Sequence, residues 1–161
     1  MNSEDDSQVS SRPAVVPISS LIPMVAKAHR KLAGSLLQSV DLAAGQEFVL
    51  MLLWQRSPQS QSDLTRQLMV EPPTMAKALT RLENLGLVSR ERSTEDRRVL
   101  LVSLTDAGKA LEAPVMAVWH DLETRTTAEF TAAEQDQLRG LLIRLGDSLA
   151  SGHLDTPSAQ D

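Results

Sequence analysis

Apolar and polar positions along this chain change period several times, and each change marks an element. From Ile18, the positions Leu21, Val25, Ala28, Leu32, Leu36 and Val40 recur at helical spacing and predict an amphipathic helix to about Asp41. From about Gly45 to Trp54 the chain is apolar on nearly every side, which suits a buried central helix. Ser60, with Asp63 three residues on, opens a third helix over Gln61–Met69. After a break at Val70-Glu71, Pro72 and Pro73 fit the first turn of a fourth helix, where a missing N–H costs little, and Gly86 stops it. The period then shortens: Leu87-Val88 and Val99 to Leu104 read as strands joined by a charged tip within Glu91–Arg98. Thr105-Asp106 caps a fifth helix with Ala107, Leu111, Val115, Val118 and Leu122 on one face, and Pro114 inside it predicts a kink. Thr131-Ala132-Ala133-Glu134 is a capping box for a sixth helix striped by Leu138, Leu141, Leu142, Leu145 and Leu149.

Helix, turn, helix and a two-stranded wing make a fold that is mainly α with a small two- to three-stranded β wing. Such a winged helix-turn-helix presents one helix to a DNA major groove and arginines at the wing tip to the flanking minor groove. Residues 1–17 and 151–161 are polar and aperiodic and read as flexible tails. Residues 18–150 form one domain, with a core at about 45–105 and dimerisation helices at about 18–41 and 106–150. The striped terminal helices exceed what a compact winged helix needs. A second copy is their simplest partner, through Leu21, Leu138, Leu141, Leu142 and Leu145. The alternative is that the stripes pack on one another within a monomer.

Charge changes this picture less than its total suggests. The net charge is -5, yet residues 60–109 hold eight Lys/Arg against seven Asp/Glu. Lys77, Arg81, Arg90, Arg92, Arg97 and Arg98 crowd into one short segment, and a local basic face suffices to neutralise phosphates. The absence of cysteine excludes disulfides, thiolate metal sites and thiol switches. No apolar run approaches the roughly 20 residues of a membrane span, and the N-terminus lacks a signal pattern, so a cytoplasmic protein is expected. There is no Gly-rich phosphate loop and no nucleophile constellation, so an enzyme is not expected, nor is a cofactor.

The run Leu82-Glu83-Asn84-Leu85-Gly86-Leu87-Val88, then Arg90, Asp96-Arg97-Arg98 and Leu104-Thr105-Asp106-Ala107-Gly108 resembles the MarR family of bacterial transcriptional regulators over about residues 18–150. The resemblance implies an obligate homodimer on a palindromic operator, usually a repressor released by a small molecule or an oxidant. It also implies an effector cavity between the first, second and fifth helices, for which Met24, His29, Met51, Trp54 and Trp119 are candidate linings against a plain core role. Two departures stand out. Pro73 precedes Thr74 where the family more often has Ser or Thr, which puts one phosphate or base contact in doubt. Cysteine-based oxidant sensing is excluded.

Among candidate contacts, Arg98 at the wing tip suits a narrow minor groove, with Asp96 holding it extended. The plain alternative is a solvated ion pair of little worth. Arg97 suits a phosphate. Thr74, Lys77, Thr80 and Arg81 form the polar face of the fourth helix, with Lys77 and Arg81 spaced for two contacts along the groove. Thr80 reads equally as an ordinary solvated position. Ser62, at the start of the third helix, suits a helix-end phosphate contact. Arg90 and Arg92 read either as flanking backbone contacts or as solvated. His29, His120 and His153 lack the spacing of a metal site, and no metal is expected. The rivals to an effector-released repressor are an activator, a ligand-independent regulator and a protein-docking winged helix.

Overall fold

The computed structural model describes residues 16–152. The elements are α1 (Ile18–Leu37), a 3-10 turn at Gln38–Val40, α2 (Gln46–Gln55), β1 (Gln59–Ser60), α3 (Gln61–Gln67), α4 (Pro72–Asn84), β2 (Val88–Arg92), β3 (Leu100–Leu104), α5 (Asp106–Ala110), α6 (Glu112–Thr126) and α7 (Ala132–Gly152). The tails expected at 1–17 and 151–161 lie almost wholly outside the described residues, as does His153. The fold is a winged helix-turn-helix extended by terminal helices.

Local chemistry accounts for most element ends. Ser60 Oγ accepts the Asp63 N–H at 3.0 Å and donates to Asp63 Oδ2 at 2.7 Å, which opens α3. Pro72 and Pro73 lie in the first turn of α4, and Gly86 at φ +70° ends the helix in a conformation that favours glycine. The Thr131–Glu134 capping box is formed, with the Thr131 N–H donating to Glu134 Oε2 at 2.8 Å.

One element differs from expectation. The fifth helix is not kinked but divided into α5 and α6 at Leu111. Pro114 has no N–H to bond the Ala110 carbonyl, so it takes the first turn of a new helix instead. The sheet has three strands, within the expected two to three. β1 pairs antiparallel with β3 (Gln59 opposite Val102), giving the order β1-β3-β2. The buried Gln59 carries this join. Its Nε2 donates to the carbonyls of Leu52 (2.6 Å) and Arg56 (2.8 Å), satisfying the end of α2.

The core joins α2, α3, α4 and the sheet through Leu50, Leu53, Leu64, Met75, Leu79, Leu82 and Val102, all buried. The base of the wing is clamped at Gly108. The Thr105 hydroxyl donates to the Gly86 carbonyl at 2.6 Å and accepts the Gly108 N–H at 3.0 Å. Trp54 Nε1 donates to the Gly108 carbonyl at 2.9 Å. α1 packs on α6, with Ala33 and Leu37 buried on one and Val115 and Leu122 on the other. Leu21, Leu141 and Leu142 remain exposed, while Leu138 and Leu145 are half-buried.

Candidate nucleic-acid interface

The apolar face of α4 anchors that helix, and its opposite face is open. Met75, Leu79 and Leu82 are buried, whereas Thr74, Lys77, Thr80 and Arg81 are exposed. Lys77, Arg81 and Arg97 enter no ion pair among the described residues, so their charge is uncompensated locally. Ser62 is exposed in the first turn of α3. It borders a shallow hollow with Thr65, Arg66 and Pro72 between the starts of α3 and α4.

The wing tip is an ordered turn rather than a loose loop. The Ser93 N–H donates to the Val99 carbonyl and the Val99 N–H to the Asp96 carbonyl, both at 2.9 Å. Arg92 Nη1 clips the tip by donating to the Arg97 carbonyl at 2.7 Å. Asp96 Oδ1 accepts the Arg98 backbone N–H at 2.9 Å and Arg98 Nε at 3.1 Å, while Oδ2 accepts Nη2 at 3.2 Å. These bonds from Arg98 hold the Asp96 carboxyl below its ordinary range. As an exposed pair it adds little stability. Its consequence is geometric: the Arg98 side chain, 91% exposed, is held away from the domain.

Arg90 and Thr80 are linked to one another and to Glu83. Arg90 turns inward, donating from Nε to Glu83 Oε2 at 3.1 Å and from Nη2 to Thr80 Oγ1 at 3.3 Å. Its side chain is 21% exposed. The Arg90 hydrogen bond holds the Glu83 carboxyl below its ordinary range. Glu83 carried no signal in the sequence, because its partner lies seven residues away across the Gly86 turn.

A cleft of about 580 Å³ opens between α1, the start of α2, α4 and α6. His29 and Trp119 line it, with Trp119 edge-on to Phe48 at 5.6 Å between ring centroids. Met24, Met51 and Trp54 do not lie on its wall. Met24 is two-thirds exposed near the start of α1, and Trp54 instead reaches Gly108. The wall includes α4, through Thr74, Lys77 and Arg81, and also holds Arg30 and Glu47, none of which was an expected lining residue. Glu47 is buried, and desolvation pushes its carboxyl up despite the Gly45 N–H, which donates to it at 2.6 Å. His120 is exposed on α6, and no cluster of metal-ligating side chains occurs among the described residues.

Residues 42–100 match the sequence profile of the MarR family. The chain is 35% identical over 101 residues to an HTH-type transcriptional repressor of Mycobacterium tuberculosis, covering 62% of this chain and 73% of that protein. It is similar to the crystal structure of a probable transcriptional regulator from Pseudomonas aeruginosa, at 29% identity and a TM-score of 0.75, covering 80% of this chain and 96% of that one. It is also similar to a mutant MarR from E. coli complexed with operator DNA, at 30% identity and a TM-score of 0.74, covering 81% and 94% of the two chains.

Proposed function

The chain belongs to the MarR family of transcriptional regulators, and on that premise we propose that it represses transcription as a homodimer on a palindromic operator. The observation that carries DNA binding is the Asp96–Arg98 arrangement, which presents a guanidinium at the wing tip beside the open cationic face of α4. Arg98 enters the minor groove, Thr74, Lys77 and Arg81 face the major groove, and Arg97 and Ser62 meet phosphates. The dimer supplies two half-sites about one helical turn apart, through the leucines left uncovered on α1 and α7. The domain organisation follows: a reading head at about 45–105 between dimerisation helices. No catalytic step and no cofactor enters this reading, and a regulator of chromosomal genes works in the cytoplasm.

Effector release is assigned to the cleft. Arg30, Lys77 and Arg81 line it together with the apolar Ala33, Val49 and Trp119, which suits an anion carrying an apolar body. Such a ligand draws on the same α4 cations that face DNA, so ligand and DNA weaken one another reciprocally.

The test is titration of the wild type and Arg98→Ala on a duplex selected by the wild type from a random library, at two salt concentrations. Arg98→Ala should weaken binding by roughly 1–3 kcal/mol and lower the salt slope by about one unit. Equal affinities at both salts would remove the wing from the interface.

A further inference from the structure

Arg90 belongs to the basic segment, yet it turns away from solvent. Its Nε donates to Glu83 Oε2 at 3.1 Å, and its Nη2 reaches both that oxygen and Thr80 Oγ1, the latter at 3.3 Å. Thr80 is itself oriented, since its hydroxyl donates to the Ala76 carbonyl at 2.9 Å and leaves a lone pair for Arg90. The Arg90 side chain is 21% exposed, against 91% for Arg98. With Nε and Nη2 both engaged, the guanidinium is fixed in orientation against α4.

The place of this pair in the chain matters. α4 and β2 are separated by Leu85-Gly86-Leu87, with Gly86 at φ +70°. Arg90 lies in mid-β2 opposite Val102, so it ties the root of the wing to the outer turns of α4. We infer that Glu83, Arg90 and Thr80 form a strut that sets the distance between the recognition helix and the wing tip. Arg90 is then a positioning residue: the seat of α4 in the major groove dictates where Arg98 meets the minor groove. This rests on the reading that α4 and the wing both contact DNA.

The experiment uses the full chain and the duplex that the wild type selects. Glu83→Gln and Arg90→Gln should each weaken binding about tenfold, and the double variant should be no worse than either, because both changes break one interaction. The salt slope should stay at the wild-type value, since no phosphate contact is lost. Sequence preference should relax beneath the wing while bases under α4 keep theirs, a split that general loss of folding would not produce. The reversed pair, Glu83→Arg with Arg90→Glu, should recover part of the affinity. Thermal unfolding of each variant identifies any that fails to fold, and Arg90→Lys then supplies a charge-preserving substitute that should also relax preference under the wing. If Arg90→Gln lowers the slope by about one unit while Glu83→Gln leaves binding unchanged, Arg90 is a phosphate contact and the strut is overturned. A wild type that selects no sequence overturns both the reading and the strut, whereas selection with uniform losses overturns the strut alone.

Discussion

The winged module and the terminal helices are built to different degrees of completion within one chain. Between α2 and β3, Leu50, Leu64, Leu79, Leu82 and Val102 have no exposed surface, and the wing turn is held by its own hydrogen bonds. In α7, a helix of 21 residues, no described side chain is buried, and Leu141, Leu142, Ile143 and Leu149 are all more than half exposed. Helices in water owe most of their stability to a packed face. The winged module therefore closes its own core, while α7 and the start of α1 carry apolar side chains that the described residues leave largely uncovered. On the dimer proposed above, a second copy completes the apolar face of the terminal helices, whereas the winged module is complete within one chain.

The greatest loss is predicted in the terminal helices. Leu142→Arg places an unpaired charge in the proposed interface and should cost about 3–5 kcal/mol of association. Sedimentation equilibrium would show a wild-type dimer and a variant monomer. A monomer in both would mean that the exposed leucines have no partner copy.

Next comes the winged module. A Cβ on Gly108 would run into the backbone carbonyl of Leu87, with Leu104 close behind. Gly108→Ala should cost about 1–3 kcal/mol, because a backbone atom cannot rotate aside as a side-chain end can. Denaturant unfolding would read the loss, and an unchanged midpoint would show that the wing base is plastic.

The well-packed module also holds a strained residue, whose relief has a smaller effect. Met69, in the turn between α3 and α4, has φ +49° and is 87% exposed. Met69→Gly relieves a left-handed backbone without losing buried surface, and should gain about 0.5–1 kcal/mol in the same assay.

The smallest effect concerns Glu47, where the two regions meet at the cleft. Burial raises its pKa, so the folded chain holds that proton at pH values where the unfolded chain has released it. Its contribution to stability therefore falls as pH rises above the ordinary value of 4.5. Two backbone N–H groups and Arg30 act against the burial cost without cancelling it. Glu47→Gln keeps an acceptor for the Gly45 N–H. It should match the wild type in acid and exceed it at neutral pH, as read by unfolding across that range. A constant difference at every pH would trace the effect to packing instead.

Much of the architecture was legible in the residues because the relevant interactions are short-ranged. The Ser60 cap, the Pro72-Pro73 start, the Gly86 stop, the Thr131–Glu134 box and the alternation of β3 each act within a few residues and are found where expected. The division at Pro114 was misread because kink and break share the same missing N–H. The choice fell to the packing of α5 against the wing and of α6 against α1 and α2. β1 was invisible because two residues, Gln59 and Ser60, carry no period; only β3 alongside makes them a strand.

From the residues alone came the helix-turn-helix and the two long wing strands, the cationic face of α4 and the Asp96–Arg98 device, whose partners are two residues apart. The tertiary structure alone decided that Arg90 serves Glu83 rather than solvent, that Trp54 holds the wing base, and that the cleft takes its cations from α4. Those outcomes depend on which surfaces meet when distant segments pack, and hydrophobic period records only that a face is buried, never what it is buried against.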